Sequence, residues 1–213
     1  MIQNRKKILL YQGGRDYNLD KTFGLFKNIL NTYVVNCFES VDVFNNNDFF
    51  EYDTTIFFSQ EGKLSTIQEQ NLLNFIGSGK GFVGLHGASA SFKNNQKYFE
   101  MLGGRFISHK NLQEFLVNIV DKKHQITRDL EHFYFKDEPY CHDFSMGKDI
   151  RILAEAQYND KDEKNTEPIM WIKDFKKGRI FFCSLGHRTI SLKEPIFQTI
   201  IVRAVEWVLE SQD

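Results

Sequence analysis

The sequence predicts an α/β domain in which a mainly parallel central sheet is covered by helices on both faces. Three observations carry that prediction. Short apolar runs of strand length alternate with stretches whose apolar residues recur every three or four positions, the rhythm of strand and crossover helix. Several runs end on glycine or other small residues, as at Gly13 and Gly14 and again from Gly84 to Ser91. Ser65 and Gln68 form a capping-box pattern ahead of an apolar face, and the helix it opens leads straight into the next strand. In such sheets ligands lie at the carboxyl ends of the strands, so functional residues are sought there.

Taken in order, residues 7–12 are apolar and strand-like and run into Gly13 and Gly14. Phe23, Leu25, Phe26, Ile29 and Leu30 then share a helical face behind Asp20 as N-cap. The glycine pair could let backbone N–H groups approach a ligand at this helix's start, or be a plain turn. Neither G-x-G-x-x-G nor G-K-S/T follows, so no nucleotide is suggested. Residues 33–38 and 54–58 are further strands. The capped helix carries Ile67, Leu72, Phe75 and Ile76 on its apolar face, with Gly77 as C-cap.

Residues 82–85 form the next strand, residues 98–102 a short helix stopped by Gly103 and Gly104, and residues 106–109 an irregular return. Alternation marks a strand at 115–120, with a loop over 121–129. Asp137 and Glu138 precede Pro139, a pattern expected of a surface turn. Strands follow at 150–156, 169–173 and 179–185, the last two joined as a hairpin, while the polar residues 160–166 are expected as a loop. Pro195 opens a final helix with Ile196, Phe197, Ile200, Ile201, Ala204, Val205 and Val208 on its buried face.

The whole-chain properties exclude several functions. At 213 residues the chain suits one domain, expected over 1–213, with no linker or repeat. Twenty-seven basic and twenty-eight acidic residues, without a basic block, give no electrostatic case for nucleic acid. Cys37, Cys141 and Cys183 are an odd number without C-x-x-C spacing, which argues against a disulfide framework and for a reducing, cytoplasmic setting. The apolar run near the start is too short for a signal peptide or membrane span, and no membrane association is expected.

The most informative stretch is residues 79–92, GKGFVGLHGASASF. An apolar strand reaches His86, and small residues follow at once, as in the sharp strand-to-helix turns that expose one reactive side chain. A histidine there can act as base, acid or metal ligand, but is a poor covalent nucleophile. The competing reading is a strand-end histidine hydrogen-bonded into a loop. His187 likewise follows a strand and a glycine. Cys183, inside an apolar run, is read as a packing residue.

Together with YFEMLGGRFISHK, FYFKDEPY and PIMWIKDFKKGRIFFCSLGH, in that order, the stretch resembles the ThuA-like (trehalose-utilisation) family, a relative of the class I glutamine amidotransferase-like fold. The resemblance implies a three-layer α/β/α, flavodoxin-like domain with a mainly parallel sheet. It also implies that His86, His109, Glu138 and His187 surround one pocket. Members often carry a histidine soon after the first glycine pair, where Arg15 and Asp16 stand here.

The resemblance points to a small-molecule carbohydrate, including keto-sugar derivatives, and leaves the class open among hydrolase, lyase and isomerase. His86, Glu138 and His187 are the expected catalytic groups; His109, Tyr140, Gly13 and Gly14 are expected to bind substrate. Alternatively His86, His109, Glu138 and His187 could hold a divalent metal such as zinc. A non-catalytic sugar-binding or assembly module is the second class of function, and a homo-oligomer is an open option. An amidotransferase-like hydrolase is disfavoured because the elbow holds His86 rather than cysteine.

Overall fold

The structure, a computed structural model, describes residues 5–13, 18–60, 62–160 and 163–210. Gly14, Arg15 and Asp16 lie outside the described residues. In chain order the elements are β1 (Lys7–Gly13), α1 (Leu19–Ile29), β2 (Val34–Phe38), β3 (Thr54–Ser59), α2 (Thr66–Gly77), β4 (Gly81–Leu85), α3 (Gln96–Leu102), β5 (Arg105–His109), β6 (Gln113–Ile119), β7 (Phe133–Asp137), β8 (Tyr140–Asp143), β9 (Arg151–Asp160), β10 (Glu163–Phe175), β11 (Gly178–Cys183) and α4 (Pro195–Leu209). Among the described residues one sheet runs β2-β1-β3-β4-β11-β10-β9-β6-β7, and β5 and β8 form a second, two-stranded sheet.

The first five strands of that order are mutually parallel. Their central members are buried on both sides, and alternate residues feed opposite layers. Ile8, Leu10, Ile56, Phe58, Val83 and Leu85 pack with Phe26 of α1 and with Phe197, Ile201 and Val205 of α4. Leu9, Tyr11, Phe57, Phe82 and Phe182 pack with Leu72 and Phe75 of α2 and with Tyr98 and Phe99 of α3. This is the three-layer α/β/α arrangement with a parallel core.

Local chemistry explains the helix ends. Asn18 caps α1, accepting the Lys21 N–H at 3.0 Å. Asp20, expected as the cap, instead sits in the first turn, where its charge suits the helix's positive end. The Ser65–Gln68 capping box of α2 is present in both directions, at 2.8 and 3.3 Å. Gly77 is the last residue of that helix rather than its cap; Ser78 caps it and Gly79 takes the positive φ, at 109°. Ile67 faces solvent, 67% exposed, because it lies in the first turn off the packed face.

The remaining strands form an antiparallel wing, β10-β9-β6-β7, grafted onto β11. Two expectations are corrected here. Of the polar loop expected at 160–166, Asp160 and residues 163–166 instead belong to strands, with Glu163 paired to Asp160. The expected irregular return at 106–109 belongs to β5, which pairs antiparallel with β8 and sets His109 opposite Tyr140. Backbone pairing overrode the polar composition of the first segment and the weak alternation of the second. Among the described residues no helix is long and apolar enough to cross a membrane.

Phe197 is fully buried between α4 and the sheet, within 5.9 Å, ring centre to ring centre, of Phe135. Phe197→Ala should lower unfolding stability by about 3 kcal/mol, as measured by denaturant titration.

Candidate functional site

β4 and β11 lie side by side with Leu85 opposite Cys183, so their carboxyl ends coincide. His86 follows β4 directly with φ +44°, a left-handed conformation that turns the chain sharply into a 3₁₀ turn over His86–Ala90. The turn passes close under β3: a Cβ on Gly87 would stand 2.6 Å from the Ser59 carbonyl oxygen, so only glycine fits. The small residues after His86 therefore serve a tight elbow.

The elbow does not expose its histidine, contrary to expectation. His86 is fully buried, because β8 closes over it. Its Nδ1 lies 2.7 Å from the Ser184 carbonyl oxygen just past β11. A carbonyl only accepts, so Nδ1 carries the proton and Nε2 is left as acceptor. Tyr140 Oη, 2.7 Å from Nε2, is its donor. Burial pushes the His86 pKa down to about 3, which keeps the ring neutral.

The other predicted residues gather around this pair. His187 Nδ1 stands 3.1 Å from Glu138 Oε2, and His109 Nδ1 stands 3.5 Å from the same oxygen. The His86 and His187 rings are 5.3 Å apart, edge to face. Exposure rises outward, from buried His86 and Tyr140 through Glu138 at 14% and His187 at 28% to His109 at 46%. His86, Glu138 and His187 each offer one ligand atom within 4.8 Å of the others. The result is a graded cluster, with a neutral histidine innermost and a carboxylate flanked by two imidazoles nearer the surface; His109 Nδ1 also lies 3.1 Å from the Lys110 carbonyl oxygen.

Gly13 ends β1, two strands along from β4, with open space where a Cβ would stand. Gly14 is outside the described residues.

Residues that sequence reasoning missed hold this cluster from behind. Asp137, expected in a surface turn, is fully buried. Its carboxylate accepts the backbone N–H groups of Glu138 at 2.8 Å, Gly186 at 2.8 Å and His187 at 3.3 Å. Burial raises its pKa to about 6 against the pull of those N–H groups. The signal was present: Phe133, Phe135 and Asp137 fall on alternate positions of β7, which turns Asp137 inward with Phe135. His142 of β8 packs against Trp171 and Phe182, with Nε2 3.0 Å from Ser89 Oγ in the elbow turn. Burial holds His142 neutral, pushed down to about 3. Nothing in the local pattern at His142 announced that contact.

A family model described as trehalose utilisation, ThuA, matches residues 7–208. The chain belongs to the ThuA family. Among solved structures it is similar to a ThuA-like protein from Parabacteroides merdae, at 21% identity and TM-score 0.83, covering 99% of this chain and 92% of that one. It is similar also to a ThuA-like protein from Bacteroides uniformis, at 21% identity and TM-score 0.82, covering 98% and 93%. A GMP synthase component from Thermoplasma acidophilum shares the fold at 9% identity and TM-score 0.57, with 96% of each chain covered. No functionally curated protein matches the chain. The ThuA chain thus carries an amidotransferase-like fold with histidine at the elbow. Its Cys183, the last residue of β11, is fully buried, and burial pushes the thiol up to about 12.

Cys183 should accordingly resist alkylation in the folded protein at neutral pH and react only after denaturation, as followed by mass spectrometry. His142 yields a pH test. Its folded pKa of about 3 lies below the ordinary value of 6.5, so its contribution to stability is present above about pH 6.5 and is lost as pH falls toward 3. His142→Gln should remove one proton of uptake on unfolding. Relative to wild type, its stability curve should flatten by about 1.4 kcal/mol per pH unit between roughly pH 6 and pH 4, read from denaturant midpoints.

Proposed function

We propose that this protein is an enzyme that moves a proton on a carbohydrate, at a carbon beside the carbonyl of a keto-sugar, in the manner of an isomerase or lyase. The observation that carries this reading is the pair of oriented imidazoles. His187 Nδ1 stands 3.1 Å from Glu138 Oε2, an approach that favours the proton on Nδ1 and leaves Nε2 as the base, with the carboxylate placed to stabilise the imidazolium that forms. His86, held neutral, accepts the Tyr140 O–H through Nε2, which fixes the hydroxyl so that the tyrosine oxygen can accept a hydrogen bond from a sugar hydroxyl. His109 at the mouth supplies a further polar contact for hydroxyls.

Glycoside hydrolysis by a carboxylate pair is less well supported. It needs two carboxyl groups flanking the scissile bond. Among the described residues the cluster has, beside Glu138, only Asp137, whose oxygens are taken up by backbone N–H groups. Family membership supports a sugar substrate, and the three cysteines, none in a disulfide, suit a reducing, cytoplasmic setting.

A second reading is a divalent metal on His86, Glu138 and His187, favoured by their mutual approach within 4.8 Å. Two imidazoles and a carboxylate are the donor set of several catalytic zinc sites. His86 also fits a ligand's part, because its other ring nitrogen is fixed on a backbone carbonyl. A metal there would polarise the sugar carbonyl as a Lewis acid.

Incubation of the purified protein with keto-sugars in deuterated water tests the proposal. Deuterium should enter at the carbon beside the carbonyl, and His187→Ala and His86→Ala should each slow this by about 10² to 10⁴-fold. Loss of exchange on chelation, with stoichiometric metal in protein purified without a histidine tag, would select the metal reading. Sugar binding without exchange would make the chain a binding module and refute enzymatic proton transfer.

A further inference from the structure

We infer that Asp137 is a positioning residue that holds His187 and Glu138 as a working pair by tying their two loops to one buried carboxylate. The inference rests on the reading of that pair as the reactive centre. Glu138 lies in the short connection between β7 and β8, followed by Pro139, whereas His187 lies in the loop after β11, behind Gly186 with φ +117°. Neither element packs the other into register through the main sheet, since β7 is its edge strand and β11 an interior one four places away. What joins them is Asp137. Oδ1 accepts from Glu138 N at 2.8 Å and His187 N at 3.3 Å; Oδ2 accepts from Gly186 N at 2.8 Å and His187 N at 3.3 Å.

The residue type answers the geometry. An ionised carboxylate is acceptor-only with two oxygens, so it can face three converging N–H donors. Asparagine would turn an NH₂ group toward one of them, and serine would reach fewer. A carboxylate with no exposed surface is expensive to bury when no cation pairs with it. Among the described residues no ion pair to Asp137 is found; its compensation comes from the amides that carry the two reactive side chains. A loop anchor of purely structural value could sit anywhere along these loops. This one bonds the backbone N–H of Glu138 and of His187 themselves.

The readout is the His187–Glu138 contact rather than stability. Long-range proton–nitrogen spectra of the histidine rings should show His187 as an Nδ1–H ring in the wild type, because the Glu138 carboxylate 3.1 Å from Nδ1 favours the proton on that nitrogen. In Asp137→Asn, and in Asp137→Ser as a second variant, His187 should lose that pattern for the averaged one of a solvent-exchanging histidine, while His86 keeps its Nδ1–H bond to Ser184. In turnover both variants should lose about 10 to 100-fold in kcat with little change in KM. Retention of the His187 pattern in the folded variants overturns the inference. So does parallel loss of all the ring patterns together with the fold, which would make Asp137 a structural anchor only. A wild-type His187 without Nδ1–H overturns the pairing itself, and with it this inference. Absence of any turnover alongside the expected ring spectra would instead count against the enzymatic reading and leave the positioning role standing.

Discussion

The hydrogen bond from His86 Nδ1 to the Ser184 carbonyl is the constraint on which the rest of the site depends. It closes the gap between two parallel strands at their carboxyl ends, and it does so with a side chain that the elbow's left-handed backbone aims inward. Because the partner is a carbonyl, the bond fixes which nitrogen holds the proton. Burial keeps the ring neutral, and Tyr140 then has an acceptor to donate to. One backbone oxygen thus determines the protonation, orientation and partner of the most buried group in the cluster.

The long excursion between β4 and β11 supplies the other wall. It carries β5, which contributes His109, the β7–β8 connection, which contributes Glu138, and β8, which contributes Tyr140, before the chain returns through β9 and β10 to lay β11 beside β4. Polar groups collected in this way cost free energy unless each finds a partner. Asp137 meets backbone amides, Ser91 bonds the Gly87 and Ser59 carbonyls, and His142 meets Ser89 through Nε2, while its buried Nδ1 has no partner among the described residues. These contacts stiffen the elbow and both loops around a cluster whose outer residues stay accessible, as a preorganised site requires.

Much of the parallel core was legible because it rests on local chemistry. The Ser65–Gln68 box, Pro195 at the start of α4, the Gly103 stop and the alternating apolar runs each act within a few residues. The grouping of His86, His109, Glu138 and His187 was legible from ordered motifs, through the family resemblance. What was not legible depends on distant pairing. The strand character of β5 and of residues 163–166 comes from partners that periodicity does not encode. His86 was expected exposed because the elbow alone would expose it; the covering strand β8 lies 54 residues later, at Tyr140. Asp137 was partly legible, since the inward alternation of β7 predicts its burial, but its amide partners on the far loop could be named only from the fold.

At the centre of the cluster stands a neutral histidine with its proton fixed on Nδ1. A pH titration of the His86 ring by nitrogen NMR tests that claim most directly. The account predicts a single Nδ1–H tautomer, unprotonated from about pH 8 down to about pH 5. Protonation of His86 near the ordinary histidine value of about 6.5, or an Nε2–H tautomer, would contradict it.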